Sequence, residues 1–120
     1  VLGFLDHRPL FPGHVLVVPR EHVETLPELP DALLVPLFSA ARLLARAVQQ
    51  AMAAQGSFLA INNRVSQSVP HLHVHVVPRN RGDGLRGFFW PRRPYRGAEH
   101  AAEVGERVRA AVSAILGEPR

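Results

Sequence analysis

The sequence predicts a small α+β domain, a mainly antiparallel sheet with two helices, and three observations carry that prediction. Residues 71–77 (HLHVHVV) alternate polar and apolar side chains between Pro70 and Pro78, and residues 14–19 (HVLVVP) form a β-branched run bounded by Gly13 and Pro19; both patterns belong to strands. A longer stretch, Asp31 to Gln55, instead repeats apolar residues at three and four, the helical period, and Ala98 to Leu116 reads as a second helix. A chain of 120 residues holds one ordinary core, and no internal repeat or second domain is visible in it.

In chain order, Val1 to Asp6 reads as the end of a strand, followed by a turn through Pro9, Pro12 and Gly13. His14 to Pro19 is a mostly buried strand, and Arg20 to Pro30 is a charged connection. The first helix places Leu37, Ala40, Ala41, Leu44, Val48, Ala51 and Met52 on one stripe, with Asp31 expected as its N-cap and Gly56 as its stop. Pro36 leaves its first turn open, because proline lacks the donor N–H. Ser57 to Asn62 is a further strand, Asn62 to Gln67 a short polar loop, and His71 to Val77 the strongest strand of all. A Gly/Pro/Arg-rich segment with Phe88, Phe89, Trp90 and Tyr95 leads to the second helix, ended by Gly117.

Composition narrows the chemistry. With 47% hydrophobic and 20% charged residues the chain is globular and not disordered. No apolar run approaches the roughly 18 residues of a membrane span, and nothing at the start reads as a signal peptide, so a cytoplasmic location with no membrane partner is expected. The absence of cysteine excludes disulfides, thiolate metal sites and a cysteine nucleophile. The chain opens on Val1, directly in an apolar stretch, and a missing N-terminal segment is expected. All 14 basic residues are arginine, and six of them lie between Arg79 and Arg96 against one acid, Asp83. Such a block suits an anionic partner, although a solvated arginine loop would look the same. Its aromatics sit in one stretch, and not interleaved along a groove, which argues against nucleic acid.

Chemistry concentrates in His71, His73 and His75. On an extended strand these three imidazoles share one face, neighbours roughly 7 Å apart, while Leu72, Val74 and Val76 point to the core. A group over His73 then has an imidazole on either side. Neutral imidazole carries one lone pair and one N–H, so it can attack phosphorus, accept a proton or return one near neutral pH. Covalent catalysis at a histidine would split a phosphoryl or nucleotidyl transfer into two displacements. Two histidines at i and i+2 also suit zinc, but no cysteine or evident carboxylate completes a set of ligands, so no metal is assigned. A sheet face without chemistry is the plainer alternative.

The segment Gln67-Ser68-Val69-Pro70-His71-Leu72-His73-Val74-His75-Val76-Val77-Pro78-Arg79, with Phe4-Leu5-Asp6 and Pro12-Gly13-His14-Val15-Leu16-Val17 upstream, resembles the histidine triad (HIT) family. The resemblance implies one HIT domain over residues 1–120 without the family's N-terminal hairpin, and a homodimer whose two sheets join. It implies a nucleotidyl hydrolase or transferase acting on a purine nucleotide. By position, His73 resembles the nucleophile, His71 the group that orients it, and His75 the contact to phosphate that helps protonate the leaving group. His14 resembles the supporting fourth histidine, Asp6 the ribose ligand, and Phe4, Leu5 and His7 the walls of the base pocket. Asn62, Gln67 and Ser68 match the family's ribose- and phosphate-side residues, while His22 and His100 are expected to be surface residues.

The chain also departs from the family pattern. The loop from Asn62 to Gln67 is about two residues short and lacks the usual glycine, which leaves Asn62 and Asn63 as rival ligands. Gly82 to Arg92 looks like an insertion whose arginines would steer a polyphosphate tail or cover a dimer seam. The expected activity is hydrolysis at the α-phosphorus of adenosine phosphoramidates, adenosine phosphosulfate or dinucleoside polyphosphates. No cofactor is required, with magnesium arriving on polyphosphate substrates. The alternatives are a nucleotide-binding regulatory module with little catalysis and a metal-dependent hydrolase.

Overall fold

The computed structural model describes residues 1–85 and 92–117. They fall into two compact units, residues 1–84 and 85–120. The first contains β1 (Leu2–Leu5), β2 (Val15–Val18), a 3-10 turn at Leu26–Glu28, α1 (Asp31–Ala51), β3 (Gly56–Ala60) and β4 (Val74–Arg79). The four strands form one antiparallel sheet in the order β1-β2-β4-β3. The expected α+β class, with two helices and an antiparallel sheet, is what the chain adopts.

Strand parity divides the sheet into a packing face and a chemical face. Val15 and Val17 on β2 and Val74 and Val76 on β4 are buried together with Leu37, Ala41 and Val48 of α1. Each such valine or leucine contributes about 1.5–3 kcal/mol when withdrawn from water. Gly3 belongs to the same face: a Cβ there would stand 2.7 Å from Leu44 Cδ1, so any larger residue would push the end of that side chain aside. The opposite face carries Phe4, Leu16, His75 and Ala60 in one transverse row, set by the register Phe4↔Leu16, Leu16↔His75 and Ala60↔His75. His14 and Asp6 extend that row's columns beyond the β1–β2 ladder, closed by Asp6 N–H donating to the His14 carbonyl at 2.9 Å.

Several element boundaries differ from the sequence expectation. Helix α1 begins at Asp31 with Pro30 as N-cap; Asp31 makes no cap and instead puts its charge in the first turn, where it complements the helix dipole. The helix runs through Pro36. It stops at Ala51, not near Gly56, because Ala53 takes a left-handed φ of 50° and the N–H groups of Ala53 and Ala54 return to the carbonyls of Gln50 and Gln49. That is a Schellman stop with alanine in the usual glycine position. Met52 therefore falls outside the helical stripe, and Gly56 opens β3. Strand β4 starts at Val74, three residues late, because the Leu72 N–H bonds the Val23 carbonyl at 2.7 Å and not a strand partner.

The second unit contains α2 (Ala98–Leu116), closed as expected by Gly117 with φ 71°. Glu103 and Glu106 pair with Arg107 and Arg109 along it, and His100 accepts from the Arg96 N–H at 3.1 Å beside the Tyr95 ring. Arg86, Phe88, Phe89 and Trp90, part of the segment expected to steer a polyphosphate tail or cover a dimer seam, lie outside the described residues. Among the described residues no helix is long and apolar enough to cross a membrane.

Candidate active site

Two backbone groups at opposite ends of the histidine array fix which nitrogens carry protons. His73 lies in the run-in to β4, and its Nδ1 is 2.7 Å from the backbone carbonyl of His71. A carbonyl only accepts, so Nδ1 carries the proton and, in the neutral ring, Nε2 keeps its lone pair. At the other end, the Leu10 N–H donates to His14 Nδ1 at 3.1 Å. An N–H only donates, so His14 Nδ1 is bare and the neutral ring's proton sits on Nε2. That Nε2–H donates to His75 Nδ1 at 3.0 Å, which leaves His75 with its own proton on Nε2. The rings of His73 and His75 stand 5.0 Å apart, edge to face. A nucleophilic lone pair and an N–H donor thus stand side by side on adjacent rings.

Burial supports the neutral state of the donor pair. His14 is only 3% exposed, and loss of solvation lowers its pKa, against the opposing pull of Asp6. His75 is lowered likewise, first by burial and then by His73 and His14, with Asp6 again opposing. Protonating His14 would also set two donors, Nδ1–H and the Leu10 N–H, against each other. Asp6 Oδ2 lies 3.7 Å from His14 Nε2, beyond hydrogen-bond range, while its Oδ1 accepts from the Arg8 N–H at 2.9 Å.

Asp6, His14 and His75 bring three donor atoms within 4.8 Å of one another, a spacing that a metal ion could use. The hydrogen bonds oppose it. A ligating histidine normally donates its second N–H to an acceptor, whereas the second nitrogen of His14 faces the Leu10 N–H. Hydrogen bonds thus run in one direction from the Leu10 N–H through His14 to His75.

The remaining candidates sort by what they touch. His71 donates through Nε2 to the Pro19 carbonyl at 2.9 Å, and its Nδ1 lies 3.4 Å from His22 Nδ1. His22 is exposed, as expected, but it contacts the array, which the sequence reading missed; nothing marks it except a histidine three residues beyond a strand's closing proline. Phe4 and Leu5 are exposed on β1, and His7 is a solvent-facing turn residue 4.0 Å from Asp6. Asn63 Oδ1 accepts from the Leu26 N–H at 2.9 Å, so its amide is committed to the loop, whereas Asn62 is exposed and its side chain bonds no described residue. Gln67 spends both ends of its amide locally, donating to the Glu24 carbonyl at 2.7 Å and accepting from the Arg64 N–H at 2.8 Å. Ser68 is exposed beside it. Arg64, at φ 67° where a glycine is usual, is held by ion pairs to Glu28 at 2.7 Å and Glu24 at 3.4 Å, contacts that the sequence did not reveal.

A four-stranded antiparallel sheet here presents a bare imidazole nitrogen on His73 beside an imidazole N–H on His75. The HIT domain model matches residues 1–82, and the chain belongs to the HIT family. It is 37% identical over 83 residues to a bis(5'-nucleosyl)-tetraphosphatase of Schizosaccharomyces pombe, covering 68% of this chain and 46% of that protein. It is 34% identical over 86 residues to an adenylylsulfatase of Arabidopsis thaliana, covering 70% and 44%. The chain thus spans about half the length of these relatives. A crystal structure from Streptococcus mutans superposes with a TM-score of 0.81 at 32% identity, covering 92% of this chain and 70% of that one. The family includes hydrolases of nucleotide anhydrides, as these two relatives are named.

Proposed function

We propose that this protein hydrolyses purine nucleotides at the α-phosphorus through a nucleotidyl-His73 intermediate. The observation that carries the reading is the pairing of a bare Nε2 on His73 with a protonated Nε2 on His75, each dictated by a backbone partner. In the first displacement the His73 Nε2 lone pair forms a bond to phosphorus as the bond to the leaving group breaks. The His75 N–H bonds a phosphoryl oxygen as its charge grows, a contact typically worth about 10²–10³ in rate. The His71 carbonyl holds the Nδ1–H of the resulting imidazolium. In the second displacement water bonds phosphorus as the P–Nε2 bond breaks, its proton passes to solvent, and AMP departs with His73 again neutral. Asp6 and Asn62 bind the ribose, Phe4, Leu5 and His7 border the base, and Gln67 and Ser68 shape the phosphate side. No metal enters the covalent step, and polyphosphate substrates arrive as magnesium complexes.

The names of two relatives support anhydride substrates, a dinucleoside polyphosphate and an adenylyl sulfate. The homodimer expected from the family would join the two sheets through β3, which ends the strand order among the described residues. The test is kcat/KM on adenosine phosphoramidate, adenosine phosphosulfate and diadenosine triphosphate, with AMP as the common product. Turnover of at least one, abolished in His73→Ala, is expected; AMP binding without turnover of any of them refutes the proposal.

A further inference from the structure

We infer that Arg64 is a positioning residue for the phosphate side of the site: it clamps the exposed loop that presents Ser68. The inference rests on the function proposed above, which sets Ser68 against the nucleotide's phosphate, and adds the group that holds it there.

Residues 62–66 are exposed, and Val65 at the tip of the loop is 81% exposed, so apolar packing does not fix it. Its backbone is strained as well. Arg64 and Ser66 hold φ values of 67° and 62°, the left-handed region that is unfavourable for any residue with a Cβ. Such a conformation persists only where surrounding contacts over-determine it. The contacts that do so here lead to one short element, residues 24–28. The Arg64 guanidinium pairs with Glu28 at 2.7 Å and with Glu24 at 3.4 Å. The left-handed Arg64 N–H donates to Gln67 Oε1 at 2.8 Å, and the Gln67 amide donates onward to the Glu24 carbonyl at 2.7 Å. The Leu26 N–H, bonded to Asn63 Oδ1, adds a further tie. The receiving element is firm: Thr25 is buried, as are Val23 and Leu29 on either side of it, and Thr25 Oγ1 donates to Glu28. Ser68 follows Gln67 directly, so whatever fixes Gln67 fixes where Ser68 stands. The histidines are held by different contacts, the Leu72 N–H on the Val23 carbonyl and the His73 ring on the His71 carbonyl. Releasing Arg64 therefore loosens the phosphate side and leaves the nucleophile in place.

Two variants with opposite changes of charge test this. Arg64→Ala removes the clamp together with a positive charge. Glu24→Gln combined with Glu28→Gln weakens the clamp from the other side and removes negative charge, while keeping an acceptor for the Thr25 hydroxyl. Charge alone would make the first variant bind an anion more weakly and the second more tightly. The clamp predicts that both bind it more weakly. AMP affinity, read by calorimetry, should fall about tenfold in Arg64→Ala, as for a loop that presents Ser68 only about one-tenth of the time. The double glutamate variant should lose about fivefold, and adding Arg64→Ala to it should change little, because the three side chains act as one unit. On any substrate turned over, KM should rise while kcat stays within about threefold, the mark of binding lost equally from ground and transition states. An affinity unchanged in Arg64→Ala, or raised in the double glutamate variant, overturns the inference. So does a kcat that falls as far as kcat/KM. If the variants weaken AMP as expected but the wild type turns over none of the substrates, the proposed hydrolysis fails while the positioning role of Arg64 stands.

Discussion

Gly13→Ala probes the turn that delivers His14 to the sheet. Gly13 has φ 95°, and a Cβ there would sit 2.6 Å from Met52 Cγ, 3.2 Å from Met52 Sδ and 3.3 Å from Pro78 Cγ. An L-residue in the left-handed region costs roughly 1–2 kcal/mol. Met52 is 41% exposed and can swing away, at a rotamer cost of about 1 kcal/mol, whereas the buried Pro78 ring must give by a few tenths of an ångström. Together Gly13→Ala should lose about 2–3 kcal/mol in urea unfolding, read from the midpoint at constant m. The same substitution in a Met52→Ala background removes the rotamer part and should still lose about 1–2 kcal/mol, the backbone share. A loss under about 0.5 kcal/mol, or one that vanishes with Met52→Ala, would refute the assignment of strain to this φ.

Further consequences can be measured directly. Ala53→Gly places glycine at the left-handed stop of α1, and a gain of about 0.5–1 kcal/mol is expected in the same unfolding assay; a loss would contradict the strained-alanine reading. The pKa values of His14 and His75 are lowered from 6.5 by burial, so between the folded and unfolded values the unfolded chain binds protons that the native state does not. This contribution is complete above about pH 6.5 and is lost as pH falls through the folded values, by at most about 1.4 kcal/mol per pH unit for each ring. His14→Gln should show a shallower loss on acidification than the wild type, and an equal slope would count against His14. His75→Ala should slow turnover about 10²–10³-fold while leaving AMP binding near normal, and an unchanged rate would remove His75 from the chemistry.

Much of the fold was legible because its signals are side-chain periodicities. The alternation of His71 to Val76 survives in burial even where residues 71–73 leave the ladder, with Leu72, Val74 and Val76 buried and the histidines half-buried between them. The second helix ends at Gly117 because glycine advertises a left-handed stop, whereas α1 ends earlier because Ala53 adopts that conformation without any such letter. At the site, the sequence identifies the imidazoles but not their tautomers, since these are set by the His71 carbonyl and the Leu10 N–H, groups that every residue except proline at its nitrogen possesses. The commitment of Asn63 and Gln67 to the loop depends on where Leu26 and Glu24 fall in space, some 40 residues away in the chain.

The bare Nε2 of His73 is the centre of the chemistry proposed here, and trapping the intermediate tests it most directly. Wild-type protein mixed with excess adenosine phosphosulfate, quenched without acid within the first turnover and mapped by mass spectrometry, should carry one AMP group on His73. Steady turnover with no adduct, or an adduct on another residue, would contradict it.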